Sequence, residues 1–464
     1  MLFIPELYIL SFSIVFLFLS LGKTKGLAHP LAKLLATAGL LITAYSAFGV
    51  KTDGLLFYGA YSINYFSQIF KLLIAYGFWF VVFMYNEKDD TEDAYKPEYY
   101  MFLSFSILGL MMLVSSVELI SIVISLEISS YSLYAIVPLR KSHGKKHLEA
   151  TAKYLFFGAI STGIMLYGMG YLYGMARSTF LADIIVAFPQ FIHQPIGIFA
   201  ILLTLTGFFF KLSLFPMHFW APDIYEGASN TTTTFIATVP KIAAAALLIR
   251  ITMLAFPSSP EMIKILMVLA ALSMTFGNLV GLVQKDIKRL LAYSGIAHAG
   301  YLIIGLLALN REGSMAVLYY TAIYLFMNLG LFYVIILLSK DGRNVTIDDL
   351  PGLARRAPML AFVLAVSAFS LAGIPPTGGF TGKLFLFTSA FRQGYLPIVL
   401  IGAANTVISI FYYLNLVRMS YSKDAVVTEP LLLGIQEKVL CSMIIVLILG
   451  MGILPFLFFR VLCL

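Results

Sequence analysis

Long apolar runs recur along the whole chain and are separated by polar stretches or by glycine and proline. Each run has about 18–25 residues, which is the length that a helix needs to cross the hydrocarbon core of a bilayer. The pattern therefore predicts an all-α polytopic membrane protein with about 14 transmembrane helices. The expected spans are 4–21, 31–50, 64–85, 99–117, 118–137, 151–174, 195–219, 231–256, 261–284, 287–309, 313–338, 357–391, 395–421 and 438–460.

Two of these runs are interrupted near their middle or end by proline in a way that predicts a break. The seventh span carries Pro216, and the twelfth, which is too long for one straight crossing, reads GIPPTGG at 373–379. Proline removes a helical hydrogen bond and clashes with the preceding turn. We therefore expect the seventh and twelfth helices to be broken.

The composition agrees with a membrane protein. Hydrophobic residues make up 60% of the chain, charged residues make up 12%, and the mean hydropathy is +0.92. A soluble protein of this length would carry far more surface charge. The first residues, MLFIPE, contain neither a basic region nor a small-residue cleavage site, so we expect a retained first span rather than a signal peptide.

The basic residues indicate an orientation. The net charge is +8, and lysine and arginine lie mostly in short loops between apolar runs, which is a topology signal and not a nucleic-acid patch. They are about three times as frequent after odd-numbered spans as after even-numbered spans, and cytoplasmic loops carry such an excess. The odd-numbered loops are therefore predicted to be cytoplasmic and both termini to lie on the outer side.

Cofactor sites are not predicted in this chain. Its only cysteines, Cys441 and Cys463, are too few for an iron–sulfur cluster or a disulfide framework. The sequence has no P-loop and no glycine-rich nucleotide fingerprint between a strand and a helix. If the protein pumps ions, we expect the energy to come from elsewhere.

Two intramembrane lysines have nearly the same sequence context. Residues 210–216 read FKLSLFP and residues 382–387 read GKLFLF, in the seventh and twelfth spans. These spans are five helices apart, so the second copy would enter the membrane from the opposite side, as in the inverted repeats of transporters. The predicted organisation is a three-helix segment at 1–98, a first repeat (helices 4–8) at 99–256, a second, inverted repeat (helices 9–13) at 257–421, and helix 14 at 422–464.

Four charged residues are expected near the middle of the membrane, namely Glu127, Lys211, Lys241 and Lys383 in spans 5, 7, 8 and 12. A charge at that depth costs about 2.5–3.5 kcal/mol on insertion scales and usually marks an ion or proton path. A Glu–Lys pair that forms and separates would load and release a proton, and Glu127 with Lys211 is the predicted pair. The alternative is that each is a packing residue with a satisfied charge, or a snorkelling lysine.

Several other ionisable residues allow two interpretations. His298 is either a proton relay, with Tyr293 and Tyr301 nearby in sequence, or a hydrogen-bonded structural residue. Lys71 either snorkels or contacts a partner subunit. Glu118 and Lys153 are expected to be interfacial.

Five segments between about 100 and 420 resemble the antiporter-like membrane subunits of respiratory complex I, and subunit N (subunit 2) most of all. They are SLEISSYSLY at 125–134, FKLSLFPMHFWAPDIYEG at 210–227, TVPKIA at 238–243, IKRLLAYSGIAHAGY at 287–301, and IPPTGGF at 374–380 with Lys383. The resemblance implies a proton-translocating membrane subunit of NADH–quinone oxidoreductase. The helix-5 glutamate of that family falls on Glu127, and its key lysines fall on Lys211, Lys241 and Lys383.

The resemblance also implies the surroundings of the chain. Its partners would be other complex I membrane subunits, such as the antiporter-like subunit M and small subunits such as K, together with the peripheral redox arm and the lipid bilayer. NADH, FMN, the iron–sulfur clusters and quinone would be bound by those partners. The expected location is the bacterial inner membrane. Lysine at 383 argues against subunit M, which usually has glutamate there, and the end of the chain just after helix 14 argues against subunit L.

Three other functions remain open at the level of sequence. An Mrp-type Na⁺/H⁺ antiporter subunit shares the fold and many of the motifs. A membrane subunit of an energy-converting hydrogenase or of a formate-linked complex would do so too. A non-catalytic scaffold is the last alternative, but buried lysines are an expensive way to build one.

Overall fold

The computed structural model describes residues 2–22, 25–49, 53–85, 91–141, 146–191, 194–255, 260–340, 342–423 and 430–462. Within these ranges the chain is almost entirely helical. The α-helices are α1 Ile4–Leu21, α2 Ala28–Gly49, α3 Tyr65–Met84, α4 Lys96–Ser115, α5 Leu119–Ile136, α6 Lys146–Ala176, α7 Leu181–Ala187, α8 Pro195–Leu212, α9 Trp220–Gly227, α10 Asn230–Ala255, α11 Pro260–Gly281, α12 Ile287–Leu306, α13 Arg311–Leu338, α14 Leu353–Arg356, α15 Pro358–Ala372, α16 Gly378–Arg392, α17 Leu396–Tyr421, α18 Ile435–Ile453 and α19 Pro455–Leu462.

Two strands form the only sheet among these residues. β1 (Gly54–Leu56) pairs antiparallel with β2 (Tyr61–Ile63), so that Leu55 faces Ser62. Six short 3-10 helices complete the described elements, at Lys25–Leu27, Phe57–Gly59, Asp93–Tyr95, Val137–Leu139, Phe188–Gln190 and Ile347–Asp349. The hairpin lies in the connection between α2 and α3, where the sequence predicts only a loop.

The prediction of a multi-span helical protein is confirmed. Thirteen of the described helices are long and apolar enough to cross a membrane, namely α1–α6, α8, α10–α13, α17 and α18. The remaining predicted span, the twelfth at 357–391, is divided into α15 and α16, each of 15 residues and therefore too short to cross alone. The dividing segment contains Gly373, with φ of 84°, and the two prolines that cannot continue a helix.

The seventh predicted span, 195–219, is also interrupted. Its helix α8 ends at Leu212, and the next helix, α9, begins only at Trp220. Between them Ser213 has φ of 60°, a left-handed conformation that costs a non-glycine residue about 1–3 kcal/mol. Strain of this kind is often kept at functional sites, and it lies here two residues after Lys211.

The chain divides into two compact units. Unit 1 contains Met1–Leu212 and Gly227–Ile263, and unit 2 contains Ser213–Glu226 and Lys264–Leu464. In unit 1 a Cβ on Gly109 of α4 would lie 2.6 Å from the Ser125 carbonyl oxygen of α5. In unit 2 a Cβ on Gly277 of α11 would lie at the same distance from the Tyr293 oxygen of α12, at the same sequence spacing. The first helix pair of each predicted repeat is thus packed in the same register.

Burial separates inner from outer helices. α10, α12 and α13 are almost completely buried, whereas only about a third of the apolar stretch of α1, α2, α6, α11 and α17 is covered within the protein. Their remaining apolar side chains, such as Phe18, Tyr167 and Leu400, are exposed and available to lipid or to other membrane subunits.

Candidate functional site

The predicted residues of unit 1 lie on three helices. Glu127 is in α5, Lys211 is one residue before the end of α8, and Lys241 is in the middle of α10, directly after Pro240. Lys211 and Lys241 are each 3% exposed. Because Pro240 has no N–H, the carbonyl of Ile236 loses its helical donor one turn before Lys241. α10 therefore holds a buried cation close to a carbonyl that lacks its helical donor.

Among the described residues, one side chain donates a hydrogen bond to Glu127. The hydroxyl of Thr162, in α6, donates to Glu127 Oε1 at 2.6 Å. The carboxylate lies close enough to Lys211 for its charge to act on the ammonium group. No described group accepts a hydrogen bond from Lys211 Nζ, so the predicted Glu127–Lys211 pair is an electrostatic neighbour pair and not a contact ion pair.

Lys383 has a different environment in unit 2. Its Nζ donates to the carbonyl oxygens of Leu371 (2.9 Å) and Ala372 (3.1 Å), which are the last two residues of α15. The ammonium also lies 4.6 Å from the ring centroid of Tyr301. Terminal helix carbonyls lack intrahelical donors and carry partial negative charge, so Lys383 caps the broken helix by hydrogen bonds and by charge.

The two similar lysine segments, at 210–216 and 382–387, lie on different sides of the interruption in their helices. Lys211 lies before the interruption of its helix, whereas Lys383 lies in α16, after the interruption. The equal register of Gly109 and Gly277 supports the repeat more directly than the lysine motif does.

His298 lies in a buried hydrogen-bond network of unit 2. Its Nδ1 is 2.5 Å from the Tyr320 hydroxyl, and its Nε2 is 3.2 Å from the Tyr413 hydroxyl, which also bonds to Ser294. The ring of Tyr301 is 5.8 Å from that of His298 and lies under Lys383. A proton could pass between His298 and the hydroxyl of Tyr320 or Tyr413. The geometry therefore fits a proton relay as well as a hydrogen-bonded structural residue.

A second set of side chains extends this network. Thr406 donates to the Tyr301 hydroxyl at 3.3 Å, and Asn278 lies 3.5 Å from the same oxygen. Tyr412 in turn donates to Asn278 Oδ1 at 2.9 Å. Sequence reasoning missed these partners, because they come from α11 and α17 and share no motif with His298.

Arg289, one of the basic residues that indicate the orientation, also forms ion pairs. Its guanidinium binds Asp223 Oδ1 at 2.9 Å and Glu226 Oε2 at 2.8 Å, both on the short helix α9. Asn344 donates to the carbonyl oxygen of Glu226 and to Asp286. The acidic residues of the segment APDIYEG therefore fix α9, the helix that follows the break, to the start of α12.

We predict that Arg289→Gln destabilises this attachment. All three side chains are about one quarter exposed, so solvent screens the pairs, and the loss should be about 1 kcal/mol, or a few degrees in melting temperature. Thermal unfolding of the detergent-solubilised protein measures it. Arg343→Gln is the matched control, since its pair with Asp349 is more exposed; an equal shift in both variants would contradict the prediction.

Two further lysines are placed by the structure. Lys153 pairs with Glu149 of the same helix at 2.7 Å and is 38% exposed, which fits an interfacial position. Lys71 is fully buried and pairs with Glu6 at 2.6 Å, so it neither snorkels nor reaches a partner subunit. Among the residues that the structure describes, no group of three or more His, Cys, Asp or Glu side chains is placed to hold a metal ion.

Known proteins resemble the chain over nearly its full length. Residues 116–409 match the family described as NADH:quinone oxidoreductase/Mrp antiporter, TM. The chain is 40% identical to NADH-quinone oxidoreductase subunit N 2 of Opitutus terrae, over 98% of this chain and 95% of that protein. The chain belongs to the NADH-quinone oxidoreductase subunit N family.

Solved structures agree with membership of the subunit N family. A chain of respiratory complex I from Thermus thermophilus superposes with a TM-score of 0.85 at 30% identity, covering 98% of both chains. A chain of the Mrp complex from a Dietzia species reaches a TM-score of 0.84 over 99% of this chain and 96% of that one, at 17% identity, which shows the shared fold alone. The resemblance found in the sequence is confirmed.

Proposed function

We propose that this chain translocates protons as a membrane-arm subunit of NADH–quinone oxidoreductase, driven by quinone reduction in other subunits. The observation that carries the proposal is the pair of buried lysines Lys211 and Lys241, with the half-buried Glu127 acting on Lys211, in a chain related to subunit N over almost its whole length. Membership of the family makes the chain part of a translocating oxidoreductase. NADH, FMN, iron–sulfur clusters and quinone then belong to the partner subunits, as do the electron-transfer steps.

The chemistry follows from the charge of Glu127. While Glu127 is ionised, its carboxylate stabilises the ammonium of Lys211, which has no hydrogen-bond acceptor of its own among the described residues. When Glu127 takes up a proton, that stabilisation is lost and Lys211 gives its proton to the next carrier. Lys241 is the proposed carrier in α10, and Lys383 with His298 would serve unit 2. The intervening steps require water or side-chain motion.

Purification of this chain from gently solubilised membranes, together with the subunits bound to it, tests this function. Mass spectrometry of co-purifying subunits should find flavin and iron–sulfur subunits, and the preparation should oxidise NADH. Antiporter-type membrane partners without a redox arm would refute the proposal and support an Mrp-type Na⁺/H⁺ antiporter. The full-length identity to subunit N favours the first outcome, since the likeness to the Mrp complex concerns only the fold.

We also propose that the chain lies in a bacterial inner membrane with both termini on the outer side. The excess of lysine and arginine after odd-numbered spans supports this orientation. Two reporters fused to the C-terminus test this orientation. Alkaline phosphatase, which is active only outside the cytoplasm, should be active, and a fluorescent protein that folds only in the cytoplasm should give no fluorescence. The opposite pattern would place both termini and the even-numbered loops on the cytoplasmic side.

Thr162→Val should weaken pumping without abolishing it. The substitution removes the donor to Glu127 Oε1 but keeps the size of the side chain. A hydrogen bond to a charged group contributes about 1.5–3 kcal/mol, and we expect roughly a tenfold lower rate of proton pumping in membrane vesicles. Thr151→Val is the control, because this hydroxyl of the same helix donates to the backbone carbonyl of His147 and, within the described part of the chain, to no side chain. Equal rates for the two variants would show that Thr162 does not position Glu127.

A further inference from the structure

Unit 1 contains a buried ion pair, Glu6–Lys71, that the proposed proton path does not use. Glu6, in the first turn of α1, and Lys71, in α3, are both fully inaccessible to solvent, and Lys71 Nζ lies 2.6 Å from Glu6 Oε1. The hydroxyl of Tyr61, in β2, donates to the same oxygen at 2.6 Å. The other oxygen, Oε2, is buried and has no hydrogen-bond partner in the described part of the chain.

A third charge acts on this pair. Arg250, near the end of α10, donates to the carbonyl of Val114 at 3.1 Å and is close enough to Lys71 for the two positive charges to repel. The cluster therefore holds two cations and one carboxylate. Arginine keeps its proton in proteins, so Lys71 is the cation that can relieve the repulsion by losing one.

Tyr61 acts as a donor and not as a carrier of charge. Burial and the neighbouring Glu6 carboxylate hold the pKa of its hydroxyl well above the usual range. Its ring lies 5.1 Å from Lys71 Nζ, so Tyr61 contacts both members of the pair.

Two aromatic rings on the side of the β-hairpin cover Tyr61, the residue that donates to Glu6. The ring of Phe3 lies 5.4 Å from that of Tyr61 and 5.3 Å from that of Phe57, which is 59% exposed. Phe57 and Tyr58, at the tip of the hairpin, have φ of 52° and 55°. Left-handed backbone is unfavourable for such residues, and strain of this kind is often kept at functional sites.

We propose that the Glu6–Lys71 pair is a second proton-transfer site of unit 1, at which protons leave the chain past the cover formed by Phe3 and Phe57. The ammonium of Lys71 transfers one proton to the carboxylate of Glu6, which leaves a neutral amine and a carboxylic acid. Glu6 then releases this proton to water beyond the hairpin. Lys71 regains a proton from the site formed by Glu127, Lys211 and Lys241. The inference rests on the proposed proton translocation, and with both termini outside, the exit faces the outer side.

Lys71→Arg is the decisive variant. A guanidinium keeps the charge and can keep the ion pair with Glu6, but it does not release its proton. We expect an assembled complex whose NADH-driven proton pumping in membrane vesicles is at least about tenfold slower. A merely structural ion pair would tolerate the arginine, so wild-type pumping in assembled Lys71→Arg would overturn the inference.

The double variant Glu6→Gln/Lys71→Gln tests the pair by a different route. It removes both charges together and leaves no uncompensated ion, so it guards against a failure of Lys71→Arg to assemble. Loss of pumping in the assembled double variant supports the inference, and wild-type pumping refutes it. Glu312→Gln, which removes an exposed ion pair with Arg392, is the control and should pump normally.

Lys211→Ala in the same vesicles separates the two proposals. If Lys211→Ala stops pumping while both Lys71 variants pump normally, the exit site is wrong and the proposed function stands. If Lys211→Ala also pumps at the wild-type rate, the proposed function itself fails at its central residue.

Discussion

Replacing Lys211 with alanine should cut NADH-driven proton pumping by at least about tenfold while the complex remains assembled. The reason is that Lys211 is the buried cation on which the charge of Glu127 acts, so without it a change in the charge of Glu127 no longer releases a proton to the next carrier. Fluorescence quenching in inverted membrane vesicles measures pumping, and native gels report assembly. Lys241→Ala should have the same effect, because it removes the proposed next proton carrier, in α10.

The controls separate this effect from a general loss of charge. Lys264→Ala removes an exposed lysine of α11 and should leave pumping unchanged. Lys211→Arg keeps a positive charge that cannot be released as a proton, so it should pump as poorly as the alanine variant. Wild-type pumping in an assembled Lys211→Arg complex would show that a fixed charge suffices and that Lys211 carries no proton.

Hydropathy is sufficient to locate the helices. The tenth span was expected at 287–309 and is observed as Ile287–Leu306, because a run that must satisfy its backbone in lipid has to be helical. The twelfth span shows the limit of this argument. Its apolar run continues through the break, so the division was predicted from its length and from the segment at 373–379, and α15 indeed ends at Ala372.

The partners of the buried charges are much harder to predict. His298 bonds to Tyr413, which is 115 residues away, and Lys71 bonds to Glu6 on a helix near the N-terminus. A lysine in an apolar run requires a partner, but the run does not identify it, since contacts between helices depend on packing and not on sequence spacing. For this reason the candidate lysines could be named from the sequence. The carbonyl groups that accept hydrogen bonds from Lys383, and the contact of Tyr61 with Glu6, could not.

Lys383 offers a sharper test than Lys211, because it is hydrogen-bonded. Lys383→Ala would leave the carbonyl oxygens of Leu371 and Ala372 buried without their donor, at a cost of about 1–3 kcal/mol for each group left unsatisfied. We therefore expect a lower melting temperature of the solubilised protein as well as lost pumping. Lys211 donates no hydrogen bond to a described group, so Lys211→Ala should lose pumping with a much smaller change in melting temperature.

Lys383→Arg should separate the two roles of this residue. The guanidinium can still donate to the end of α15 and keep its charge over the ring of Tyr301, but it does not give up a proton. The expected result is a melting temperature close to that of the wild type together with pumping as low as in Lys383→Ala. If Lys383→Arg restores both stability and pumping, Lys383 serves only as a cap of the broken helix, and proton transfer in unit 2 must use other groups such as His298.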